Sequence, residues 1–148
     1  MNMKLLMALT VLAAFSLGTN SANAERVAES NVPAAVSIAL ERFYPGENVK
    51  WETEGANYEG EFKVKGAETS VLLDASGNVL EVEEEIDVSA LPKATTDYVS
   101  KNLPQQKIKE ASKITDTKGT VTYEVQIKKT SYLFDANGTF IRMTEEDR

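Results

Sequence analysis

Thr69-Ser70-Val71-Leu72-Leu73-Asp74-Ala75-Ser76-Gly77 and Thr130-Ser131-Tyr132-Leu133-Phe134-Asp135-Ala136-Asn137-Gly138 are one phrase written twice in a chain of 148 residues. Each is a strand pattern running into an Asp-Ala-x-Gly turn, and such a repeat, met early, changes how everything around it is read. Working backward, Tyr58-Glu59 matches Tyr123-Glu124, and Phe62-Lys63 matches Ile127-Lys128. Further upstream Val49-Lys50 matches Ile108-Lys109, Phe43-Tyr44-Pro45 matches Asn102-Leu103-Pro104, and Val32-Pro33 matches Leu91-Pro92. Tyr58, Phe62 and Val64 alternate with Glu59, Glu61, Lys63 and Lys65, while Tyr123, Val125 and Ile127 alternate with Glu124, Gln126 and Lys128. A period of two with one apolar and one polar side predicts half-buried strands, and the short Gly-containing connections make them antiparallel.

Each copy opens on a helix signal. Pro33 and Pro92 suit a first helical turn, where a missing N–H leaves no bond unmade, and Pro45 and Pro104 end the two helices. Val36, Ala39, Leu40 and Phe43 fall on one helical face, as do Leu91, Thr95, Tyr98 and Val99 more weakly. The fold class expected is therefore α+β, a tandem repeat of one helix plus about four antiparallel strands, with the helices packed on one face of the sheet. Repeat 1 spans residues 30–86 and repeat 2 spans 89–144. One unit of about 60 residues has a thin core, so the copies should share a sheet.

Met1 to Lys4 give a positive start and Leu5 to Leu17 an apolar run, followed by Ala22-Asn23-Ala24 with small residues where a signal peptidase reads. Residues 1–24 read as a cleaved signal peptide, too short in its apolar stretch for a comfortable membrane span. The mature chain is expected to be periplasmic or secreted, with no membrane span. Lys4 is the only charge removed, leaving 15 basic against 23 acidic side chains. That balance makes nucleic acid and anionic lipid poor partners. With no Cys and no His, disulfides, thiol nucleophiles, thiolate metal sites and the usual neutral-pH proton shuttle are absent.

Other chemistry is weighed residue by residue. Glu59 and Glu61 have the makings of a glycosidase acid-base pair, but a solvated strand face would not raise a carboxyl pKa. Ser70 and Ser131 lack a histidine base, so no catalytic residue is assigned. Asp74 to Asn78 and Asp135 to Gly138 have oxygen side chains and a Gly spaced like the start of a calcium loop, yet the closing bidentate Glu is missing. Both read as hairpin turns, and no metal ligand or cofactor is assigned. Asn137-Gly138-Thr139 fits a glycosylation acceptor and reads as turn composition. The acidic run Glu81, Glu83, Glu84, Glu85 and Asp87 reads as a solvated strand edge or a linker. Trp51, Tyr58 and Phe62 read as core under a helix, with the face of Tyr132 ambiguous.

The Tyr58 to Lys63 and Tyr123 to Lys128 strands, with the Leu73 to Gly77 and Phe134 to Gly138 turns, resemble those of the PepSY-like family related to the β-lactamase inhibitory protein fold. The resemblance spans about residues 30–144. It implies a small secreted bacterial protein, and the name-giving relative is a proteinaceous inhibitor that grips its enzyme with the open face of its sheet. The expected function is a non-enzymatic periplasmic or secreted binding module, an inhibitor or regulator of an envelope hydrolase. Its partner would be an envelope or extracellular protein, its state a monomer or weak oligomer. Glu59, Glu61, Lys63, Glu124, Gln126, Lys128 and Tyr132 are the expected binding residues. The alternative is a small-ligand or divalent-cation carrier working through the acidic segments.

Overall fold

The computed structural model describes residues 25–145; the expected signal peptide lies outside the described residues. Among the described residues nine strands form one antiparallel sheet in chain order: β1 (Glu25–Val27), β2 (Lys50–Glu54), β3 (Asn57–Val64), β4 (Ala67–Leu73), β5 (Val79–Glu85), β6 (Glu110–Asp116), β7 (Val121–Ile127), β8 (Thr130–Asp135) and β9 (Phe140–Glu145). Helix α1 (Ala34–Phe43) precedes β2 and helix α2 (Lys93–Asn102) precedes β6, each introduced by a single turn of 3-10 helix. Pro33 and Pro92 occupy the caps immediately before the helices, where their fixed φ near −55° costs nothing. Tyr44 and Leu103 close the far ends through backbone N–H bonds to Leu40 and Val99.

Register divides the sheet into two sides. Trp51 faces Gly60, Gly60 faces Val71, and Val71 faces Val82. Val36 and Leu40 of α1 join Trp51, Phe62, Val71 and Leu73 in one buried cluster. In the second half Leu91 and Val99 join Ala111, Val125, Ile127 and Phe134. Thr95, fully buried, occupies the α2 position corresponding to Val36 of α1. Phe43 departs from the helical face expected for it, being 62% exposed. Tyr44, one residue on and outside the helical period, packs instead against Phe62 with ring centroids 4.7 Å apart. Tyr98 stacks on Phe140 at 4.8 Å and meets Phe134 edge-on at 5.4 Å. Such aromatic pairs contribute about 1 kcal/mol each beyond their buried area.

The acidic run is not an edge, and only Asp87, beyond β5, lies in the connection to α2. Glu81–Glu85 belong to β5, the fifth of nine strands, paired with β4 on one side and β6 on the other. Alternation sends Glu84 to the side of Val82 and sends Glu81, Glu83 and Glu85 to the reverse.

Turns fasten the hairpins to the helices. In the three Asp-x-x-Gly turns, Asp74 Oδ1 accepts from the N–H groups of Ser76 and Asn78, Asp116 Oδ1 from Lys118 and Thr120, and Asp135 Oδ1 from Asn137 and Thr139, all at 2.8–3.0 Å. The Asn78 side-chain amide on Asp74 Oδ2, together with these backbone bonds, holds the Asp74 carboxyl below the usual carboxylate range, and the Thr120 N–H leads the same effect at Asp116. The turn reading of the Asp-Gly segments thus has its cause in the local bonds. Gly77 and Gly138 have φ of 86° and 83°. A Cβ at Gly77 would run into the carbonyl oxygen of Ala35 in the first turn of α1; one at Gly138 would lie 2.9 Å from both Pro92 Cβ and the Thr95 nitrogen of α2. Gly119, with φ of 78°, has nothing within 4 Å of the same point.

The three turns therefore separate backbone strain from packing. Gly119→Ala should cost about 1 kcal/mol, the strain of left-handed geometry alone, whereas Gly77→Ala and Gly138→Ala should cost about 3 kcal/mol or more. Urea unfolding of the three variants checks this; equal losses at all three would mean the helices do not rest on the turns.

Candidate functional site

The side of the sheet opposite Trp51 and Val71 is built from carboxylates. Glu52 faces Glu59 across β2 and β3; Glu59 faces Leu72, and Leu72 faces Glu81, which in turn faces Asp116. One row over, Lys50 faces Glu61, Glu61 faces Ser70, Ser70 faces Glu83, and Glu83 faces Ile114. Glu124 continues the field on β7 opposite Ser112, accepting a 2.8 Å hydrogen bond from Ser131 Oγ. Long side chains on neighbouring strands stand only about 5 Å apart at the backbone, so these acids crowd one another.

Crowding is compounded by burial. Glu52, Glu59 and Glu83 are 5–6% exposed, and Leu72 and Ile114, equally buried, put apolar surface between the carboxylates. A carboxylate stripped of water favours its neutral form. Burial accordingly pushes the Glu59 carboxyl up to about 8, with the charges of Glu61, Glu54 and Glu52 adding to the effect and the Ser70 hydroxyl opposing it. Glu81 is raised to about 7 by burial and then by Glu54, Asp116 and Glu124. Glu83 is raised well above the ordinary value by burial, then by Glu124, with Ser112 opposing. Counter-charges are few and peripheral: Arg26 Nε lies 3.6 Å from Glu52 and Lys63 Nζ 3.1 Å from Glu68.

The expected binding residues divide. Glu59, Glu61 and Lys63 share this side on β3, and Glu124 and Gln126 share it on β7, Gln126 being buried. Lys128 instead occupies the turn after β7 with φ of 58°. Tyr132 lies opposite Val125 and packs against the second buried cluster, with Phe140 at 6.5 Å, so it does not share the surface expected for it. The physical reason is parity: Leu133, not Tyr132, faces Glu124. The expectation that Glu59 is solvated is overturned by its burial. Sequence reasoning missed Glu52 and Glu54 and put Glu81 and Glu83 on a solvated edge or linker; alternation puts all four beside Glu59 once β2 and β5 are recognised as interior strands.

Three of these acids, Glu52, Glu59 and Glu61, each offer a carboxylate oxygen within 4.8 Å of the others. The arrangement can accept a compact cation or a positively charged group of another molecule. Among the described residues, no helix is long and apolar enough to cross a membrane.

Because Glu59, Glu81 and Glu83 are raised above their unfolded values, the folded chain binds more protons than the unfolded one between the two sets of values. Folding carries no penalty from them below the unfolded value near 4.5; the penalty grows as pH rises and is complete above about 7 for Glu81 and about 8 for Glu59. Stability should therefore fall between about pH 5 and pH 9, and Glu59→Gln should gain about 1–3 kcal/mol over wild type at the alkaline end while being near neutral at pH 5. Thermal unfolding across that range checks the sign; a variant less stable than wild type at pH 9 would contradict it.

A family profile described as "Putative beta-lactamase-inhibitor-like, PepSY-like" matches residues 19–81 and 56–142. No curated protein sequence matches the chain. Among solved structures, one titled a putative periplasmic protein of Bacteroides eggerthii is similar with a TM-score of 0.69 and 18% identity, over 77% of this chain and 88% of that one. A DUF2874 family protein of Bacteroides uniformis gives 0.67 and 21%, over 76% and 88%. A BLIP-like protein of Bacteroides fragilis gives 0.60 and 22%, over 75% and 84%. These likenesses establish the fold, and the profile, spanning nearly all of the strands and both helices, shows that the chain belongs to the PepSY-like, β-lactamase-inhibitor-like family.

Proposed function

We propose that this protein is a non-enzymatic binding module of the bacterial periplasm or of secreted material, and that it holds a protein partner on the acidic side of its sheet. In this reading residues 30–86 and 89–144 are two copies of one unit, and both helices cover the same side. Support comes from the element order, a helix followed by four strands on each occasion, and from register parity between the two buried clusters. The export signal read in residues 1–24 and the periplasmic titles of similar structures support the compartment.

The observation that carries the reading is the field of crowded carboxylates over β2 to β7. A folded domain gains nothing in stability from dehydrated like charges, and such a cost is characteristic of surfaces completed by something else. The partner would bring Lys or Arg to Glu54, Glu61 and Glu81, the half-buried members, with Lys63 and Gln126 at the margins. Electrostatic complementarity of this kind sets orientation and association rate. An envelope hydrolase regulated by occlusion is the kind of partner the family name suggests. The absence of His and Cys supports binding over catalysis.

Capture from native envelope extract tests this with wild type and a Glu54→Lys/Glu61→Lys double variant, both checked for native circular dichroism. At least one envelope protein should be retained by wild type and depleted about fivefold or more with the variant. Equal recovery of every captured protein would remove this side of the sheet as the binding surface.

A further inference from the structure

We infer that Glu52, Glu59 and Glu61 form a chelating site for a calcium-sized divalent cation at the β2–β3 ladder. Chelation is read in the isolated chain with no partner present, so it stands or falls separately from the protein-binding reading.

The three carboxylates project from adjacent strands on one side: Glu52 and Glu59 are direct cross-strand neighbours, and Glu61 lies on the same side as Glu59, two residues along β3. Their oxygens lie within 4.8 Å of one another. A calcium ion takes its oxygens at about 2.4 Å, so two oxygens on one ion are at most twice that apart. The distance is therefore the one a shared ion of this size permits. Glu52 and Glu59 are buried, so both oxygens are already stripped of competing water.

An independent observation points the same way. Glu83, on the same side two strands from β3, is 6% exposed, and its Oε2 has no hydrogen-bond partner among the described residues. Its carboxyl is bonded by Ser112 and feels the charges of Glu124, Glu59 and Glu81, so the unbonded oxygen stands in the same acidic field. Buried acceptors are normally satisfied, and one left unbonded among negative charges is compensated by a proton or by a cation. Lys50 faces Glu61 across the ladder and acts on its charge, and the ion pair to the trio comes from Arg26, which reaches Glu52 at 3.6 Å from an exposed position on the edge strand β1. It is free to swing away when a doubly charged ion enters.

The Asp-Gly turns do not compete for this role. The oxygens of Asp74 are bonded to Ser76 and Asn78, and Oδ1 of Asp135 to Asn137 and Thr139. Oxygen ligands and side chains fixed by pleated strands favour the relaxed shell of Ca²⁺ over the strict octahedron of Mg²⁺.

Calorimetric titration of chelator-treated protein with CaCl₂ at about pH 8, together with thermal unfolding with and without the salt, tests the site. One saturable event should appear, with the melting temperature raised by about 3 °C or more at millimolar Ca²⁺. Glu59→Gln and Glu61→Gln should each weaken it about tenfold or more, and Arg26→Gln should tighten it. Asp74→Asn should leave affinity unchanged. Glu59→Gln removes a buried charge and keeps the side-chain shape, so loss of binding there cannot be put down to unfolding. No saturable heat in wild type, wild-type affinity in both Gln variants, or loss confined to Asp74→Asn would overturn the assignment.

Discussion

The two-residue period of the β-strand governs this molecule. Because Trp51, Phe62, Val71 and Val82 take the side that meets a helix, every second neighbour is committed to the reverse, and in β2, β3 and β5 most of those neighbours are glutamates. No single carboxylate is unusual in sequence. Stacked by antiparallel register, they become a dehydrated field in which Glu59, Glu81 and Glu83 hold protons into the neutral range or beyond. A slip of one residue in any central strand would exchange core and acid, so the apolar clusters that fix the register also fix the electrostatics.

Helices and turns make that register unambiguous. Gly77 and Gly138 allow hairpin turns to touch the first turns of α1 and α2 with no Cβ between. The same two turns bind their own Asp oxygens to backbone N–H groups, which closes them as rigid corners. The helices therefore meet the sheet at defined points as well as through Val36, Leu40, Thr95 and Val99.

Much of this is legible in the sequence. The duplicated Asp-Ala-x-Gly phrase, the paired prolines and the alternation in Tyr58 to Lys65 mark helix ends, hairpins and sheet class directly. What alternation does not supply is strand neighbourhood. Glu81 to Glu85 look like an exposed edge when read alone, and only pairing to both β4 and β6 makes them interior. Tyr132 and Lys128 depart from expectation for a related reason: the tight Lys128-Lys129 turn fixes the parity of β8, and an apolar neighbour beside Tyr132 hides it. Phe43 obeys the helical period and still stands in solvent, because the chain turns at Tyr44 and gives the aromatic position to the residue outside the helix.

The carboxylates share one dehydrated side of the sheet, and their titration reports on this most directly. Carbon-detected NMR of the glutamate side-chain carboxyls across a pH series resolves the individual groups. The Glu59 carboxyl should titrate near 8, far above an exposed glutamate. A Glu59 midpoint near the ordinary value of about 4.5, unmoved when Glu61 or Glu52 is neutralised, would mean that the acids neither crowd nor lose their water, and the acidic side would be an ordinary wet surface.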